Sequence, residues 1–170
     1  MTRHLTKLCS VIGIGVMLAI TITIGAAPIL PGRDKIPDEL RCLANITSVS
    51  TVIDEVVGIK IPNEKLLRKF HRTLKNEGFE INDDQETPRL ALQYIAARDP
   101  DIPGALGVTI IIAVHQRVDL HRMEETMALP VASIVLATLG KEDQLEELVD
   151  HEIERAVQRL KIYVTRASAR

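Results

Sequence analysis

From Gly107 to His121 the residues alternate between two faces. On an extended backbone Val108, Ile110, Ile112, Val114, Val118 and Leu120 point one way. Thr109, Ile111, Ala113, His115, Arg117, Asp119 and His121 point the other way. A strand this long that is aliphatic along one side must lie in a sheet whose aliphatic side is covered. Every other element of the chain has to be placed around that requirement.

The cover is written near the C-terminus. From about Lys141 to Ala167, Leu145, Leu148, Val149, Ile153, Ala156, Val157, Leu160, Tyr163 and Val164 recur at helical spacing. A long amphipathic helix buries one stripe, and the strand offers the matching surface. Ile110 and Ile112 are therefore expected to face Leu148, Ile153 or Val157, with Ile111 facing away.

The remaining elements follow from local signals. Val49, Thr51 and Ile53 predict a strand near Ser48–Val56. Asn63 as N-cap, Glu64 in the first turn, and Leu66, Leu67, Phe70 and Leu74 on one face predict a helix. Gly78 ends it, with Phe79 placed to fold back in a Schellman contact. Residues 79–81 read as a short strand, and Arg89–Ala97 as a firmer one. Asp99-Pro-Asp-Ile-Pro-Gly104 is a loop. Met123-Glu-Glu-Thr126 turns the chain into a partner strand, Met127–Thr138, which Pro130 pushes towards an edge or a bulge. The expected fold class is α+β: a two-layer sandwich with a mostly antiparallel sheet and two helices on one face.

A different signal precedes this domain. Arg3, His4 and Lys7 lead into an apolar run from Leu8 to Leu30 with no charged side chain. It is long enough to span a bilayer, which takes about 20 apolar residues. This N-terminal hydrophobic helix is read as an export signal or a single membrane anchor, and it places the rest of the chain outside the cytoplasm. Pro28, Pro31, Gly32 and Pro37 mark a linker. The expected organisation is residues 1–30 signal peptide or anchor, 31–39 linker and 40–170 the α+β domain, periplasmic, extracellular or tethered.

Charge and chemistry exclude several classes. The chain has 21 basic and 23 acidic residues; with Arg3 and Lys7 set aside, the exported part is more acidic still. No basic run with interleaved aromatics appears, so nucleic acid is not an expected partner. Membrane contact is expected only through residues 8–30, if that segment is kept. Cys42 lies after the apolar run as a lone cysteine, either a buried inert thiol or a cross-chain disulfide. Asn45-Ile46-Thr47 fits the N-glycosylation pattern.

His151-Glu152-Ile-Glu-Arg155 begins like the zinc-protease helix H-E-x-x-H, but Arg155 replaces the second imidazole. A solvated helix face is expected there, continued by Glu147, Asp150 and Glu154. His115 and His121 are about 20 Å apart along one strand and cannot share a metal. His71 is expected at the surface. Ser48, Ser50 and Ser133 lack a nucleophile elbow. The reading calls for no cofactor, no metal and no catalytic set.

The open sheet face is the positive candidate. Thr109, Ile111, Ala113 and His115 lie on it, opposite the helices, and form a possible partner-binding face. The expected function is a non-catalytic exported envelope domain that binds a partner protein, a second copy or an apolar ligand through that face. The alternative is a small secreted hydrolase with a site assembled from distant His, Asp and Ser residues.

The helix ending Leu74-Lys-Asn-Glu-Gly78, the Pro88-Arg-Leu-Ala-Leu92 strand, the Gly107-to-Leu120 strand and the amphipathic last helix together resemble a class of uncharacterised short bacterial envelope proteins. In that class an export signal precedes a β-α-β-β-β-α domain. The auxiliary lipoproteins of lipopolysaccharide transport are similar in layout. Their lipid-bearing cysteine is missing here, so the resemblance implies location and fold and carries over no functional residue.

Overall fold

A computed structural model describes residues 38–84 and 86–169. The apolar run and most of the linker lie outside the described residues. The elements are β1 (Ser48–Gly58), α1 (Asn63–Asn76), β2 (Glu80–Ile81), β3 (Arg89–Arg98), β4 (Ala105–Leu120), β5 (Glu125–Lys141) and α2 (Leu145–Ser168). Short 3₁₀ turns at Asp38–Leu43 and Glu142–Gln144 precede β1 and α2.

The sheet has five strands in the order β2-β1-β3-β4-β5. It is mixed, which corrects the mostly antiparallel expectation: β1 runs parallel to both β2 and β3, while β3, β4 and β5 are antiparallel neighbours. The cause is α1. A helix between two strands returns the chain to the end where it began, so β2 enters in the same direction as β1. The antiparallel half is built from two successive reversals.

α1 ends as its sequence dictates. Gly78 takes φ +82°, a conformation that costs glycine nothing. Phe79 N–H donates to Leu74 O at 3.0 Å and Gly78 N–H to Lys75 O at 3.0 Å, the paired bonds of a Schellman motif. Leu74 and Phe79 are both buried. The start of α1 differs from expectation. Pro62 occupies the cap position and no side chain caps the helix; its carbonyl accepts from Lys65 N–H at 2.9 Å.

The core lies between one sheet face and the two helices. Ile110, Ile112, Ile153 and Val157 are fully buried and belong to one apolar cluster, with Leu148 packed against it. Lys69 Nζ meets Asp150 Oδ2 at 2.8 Å and Lys65 Nζ meets Glu146 Oε1 at 2.6 Å, pairing α1 with α2 along their solvent rims. Pro130 behaves as its chemistry requires: β5 is an edge strand, and its register against β4 shifts between Val114 and His115, where Pro130 and Ala132 flank the extra residue. β4 starts earlier than the sequence signals, at Ala105, and β5 runs further at both ends, from Glu125 to Lys141, so α2 starts only at Leu145.

Val118 and Leu120 are not core residues, contrary to their expected role; both are half-exposed. The reason is length. A helix of 24 residues covers about 36 Å, or about 11 residues of strand. β5 has 17. The far end of the β4–β5 hairpin therefore extends past the helical layer.

Candidate functional site

The candidate face is assembled by the strand registers. Across β3, β4 and β5 the pairs Ala91–Ala113–Ser133, Gln93–Ile111–Val135, Ile95–Thr109–Ala137 and Ala97–Gly107–Leu139 form four successive rows. Alternation puts all twelve on the side of the sheet away from the helices. None carries a charge. At about 6.8 Å by 4.8 Å per residue, this block covers roughly 400 Å². Val135 is 54% exposed and Leu139 86% exposed, although each sits amid aliphatic neighbours. On the β1 side the surface continues through Val52 and Val57, both exposed. Between them the register shift at Ile53 and Glu55 brings Asp54 to the surface, where its carboxylate accepts a 2.8 Å bond from Gln93 Nε2.

Of the residues expected on this face, Thr109, Ile111 and Ala113 lie within the block, and all three are half-buried. His115 lies just beyond it, opposite Arg89. The sequence reading missed the contribution of the neighbouring strands. Ile95, Val135 and Leu139 are all apolar at alternate positions, but which residue stands beside which becomes known only with the register.

His115 opens a separate polar cleft of about 240 Å³, lined by Ser50, Asp83, Asp84, Thr87, Arg89, Gln116 and Arg117. Arg117 pairs with Glu86 at its rim. The cleft gathers serine, histidine and two aspartates, the residue types of the hydrolase alternative. No hydrogen bond joins a histidine to a serine or cysteine among the described residues, and such a bond is what activates a nucleophile. His121 lies exposed in the hairpin turn. Among the described residues no three potential ligands converge for a metal.

Two other side chains, His71 and Glu152, depart from expectation. His71 is half-buried, with Nε2 2.5 Å from Thr51 Oγ1. Burial lowers its pKa, the nearby Lys75 lowers it further, and Asp83 opposes them. Glu152 is fully buried instead of solvated: one carboxylate oxygen accepts from Arg155 at 2.8 Å, and the other has no partner among the described residues. His151 and Glu154 stay exposed, as expected. The Cys42 thiol is half-buried and donates to Val131 O at 3.9 Å; burial raises its pKa and a backbone hydrogen bond opposes this.

The sequence matches no family model and no curated protein. Several solved structures are similar in chain path. A minor lipoprotein from Acinetobacter baumannii is 15% identical with a TM-score of 0.43, over 71% of this chain and 92% of that one. The PelC dodecamer from Paraburkholderia phytofirmans is 13% identical with a TM-score of 0.46, over 68% of this chain and 86% of that one. The uncharacterized lipoprotein B from Nitrosomonas europaea is 12% identical with a TM-score of 0.33, over 75% and 86% respectively.

Proposed function

We propose that this chain is a non-catalytic envelope domain, exported by its N-terminal apolar run, that docks a partner protein or an apolar ligand on the outer face of its sheet. The observation that carries the reading is the block of twelve uncharged positions on β3, β4 and β5. A sheet exposed to water on one side ordinarily alternates apolar-in with polar-out. Here the water-facing side holds Ile95, Ile111, Val135 and Leu139, and its only amide is Gln93. This uncharged footprint of roughly 400 Å², mostly apolar but including Gln93, Thr109 and Ser133, is comparable with the largest patch on a typical monomer, where such patches are often functional. A long sheet face suits a helix, a strand ribbon or an acyl chain laid along it; a concavity lined by Val57, Ile95 and Ala97 lies at its β1 side.

The test is sedimentation of gently solubilised envelope on a gradient. The wild-type chain is expected to travel in a complex larger than itself. Ile111→Lys and Val135→Lys should return it to the position of a single chain, while His151→Lys on the helical side should not. Block variants that sediment like wild type would overturn the reading.

A further inference from the structure

The cleft at His115 has two walls of opposite charge. The sheet supplies one of them. Ser50, Arg89 and His115 stand side by side across β1, β3 and β4, in the row next to Ala91–Ala113–Ser133, and alternation points all three away from the helices. Arg117 lies two residues further along β4 on the same side. The other wall is the loop between β2 and β3, with Asp83, Asp84 and Thr87. Backbone bonds hold that loop to β1 at both ends: Asn82 N–H donates to Val49 O at 3.0 Å, and Ser50 N–H donates to Pro88 O at 3.0 Å. Within the loop Asp84 Oδ1 accepts from Glu86 N–H at 3.2 Å. Glu86 in turn pairs with Arg117 across the mouth. The loop is thus tied to β1 and to β4, which keeps the two walls apart.

The Glu86–Arg117 pair leaves a charge over on each wall. Among the described residues no ion pair or side-chain hydrogen bond engages the Arg89 guanidinium or the Asp83 carboxylate. Asp83 acts electrostatically on His71 of α1 but takes no cation of the sheet wall as a partner. Asp84 spends one oxygen on Glu86 N–H and has a second. These charges decide what fits. A simple anion drawn to Arg89 would also meet Asp83 and Asp84. A simple cation would meet two guanidiniums, and among the described residues no three ligands converge for a metal. A molecule that carries both charges is matched on both walls.

We infer that the cleft binds a small zwitterion, a free α-amino acid, with its carboxylate on Arg89 and its ammonium on Asp83 and Asp84. A guanidinium presents paired N–H donors to both oxygens of a carboxylate, and the Ser50 hydroxyl and His115 imidazole flank it with further hydrogen-bonding capacity. An ammonium has three donors and no acceptor, so two carboxylates on the facing wall suit it. In an α-amino acid the two charges are one carbon apart, close enough for both walls of a small cleft. The size agrees: about 240 Å³ falls below the ~300–1,000 Å³ of sites that take drug-sized ligands. The cleft is separate from the block, and neither needs the other to bind.

The test is isothermal titration calorimetry on the purified full chain in a nonionic detergent, with the proteinogenic L-amino acids added in turn at neutral pH. At least one should bind saturably, one molecule per chain. Its amide, which lacks the carboxylate charge, and its N-acetyl derivative, which lacks the ammonium, should each bind about tenfold more weakly or worse, the loss that follows removal of one charge-assisted partner. Arg89→Gln should weaken the amino acid to the same degree. So should Asp83→Asn combined with Asp84→Asn, in which an amide oxygen can still accept from Glu86 N–H. Arg159→Gln, on the exposed side of α2, should change nothing. Failure of every amino acid to bind overturns the inference. So does an N-acetyl derivative that binds as well as its parent, the mark of a plain anion site, or an amide that does, the mark of a plain cation site. Binding that survives Arg89→Gln overturns it too. If Arg89→Gln alters the circular dichroism, the comparison of parent, amide and N-acetyl derivative decides alone, because it uses the unaltered chain.

Discussion

Ile111 on β4 stands directly opposite Val135 on β5, and both side chains point away from the helices. One residue along, Ile112 stands opposite Ile134, and both are buried beneath α2. The same pair of strands thus presents aliphatic side chains to the core and to water.

The two sides should respond differently to substitution. Ile112 is fully buried, and truncating it leaves a cavity, so Ile112→Ala should destabilise by about 2–5 kcal/mol. Val135→Asn replaces a residue that is 54% exposed and should shift stability by no more than about 0.5 kcal/mol. Urea unfolding monitored by circular dichroism measures both. Equal losses would mean that the outer face is covered within the single chain.

Tyr94 lies in the core at 0% exposure, and its hydroxyl has no hydrogen-bond partner among the described residues. Burial pushes its pKa up to about 12. A buried hydroxyl that has left water without a replacement bond is a cost, so Tyr94→Phe should raise stability by about 1 kcal/mol. A clear loss on removing the hydroxyl would show that it is satisfied in solution.

His71 supplies a pH dependence. Its pKa in the fold lies below the ordinary value of 6.5, chiefly through burial. Between the two values the unfolded chain binds a proton that the folded chain does not, so stability falls as pH drops below about 6.5 and keeps falling until the folded pKa is passed. Melting temperatures measured from pH 7.5 down to pH 5 should show this decline in wild type and a shallower one in His71→Gln. Parallel curves would remove His71 as the source.

Much of this fold is legible in the sequence. The period of two in β4, the helical spacing of α2 and the Gly78-Phe79 stop each depend on a local rule that tertiary structure did not override. The parallel placement of β1 beside β3 is not local; it depends on which strand the chain pairs with after the crossover. Glu152 sits among Asp150, His151 and Glu154, which suggests a solvated face, yet its helical phase matches Val149 and Ala156, both buried, and phase decides burial. For Val118 and Leu120, alternation reports which side a residue faces and not how far the covering helix reaches. The candidate site was legible on β4 alone. Its extent required knowing that Val135 falls beside Ile111 and that Leu139 falls beside Gly107.

The most direct measurement of the central claim is photocrosslinking in cells from single sites on the two sides of the domain. A photoreactive residue at position 111, in the block, is expected to give a discrete adduct in the envelope fraction, and Val135→Lys in the same chain is expected to abolish it. The same residue at position 154, on the exposed side of α2, is expected to give none. Adducts from position 154 with none from position 111 would contradict the account, because they would move the docking surface from the sheet to the helices.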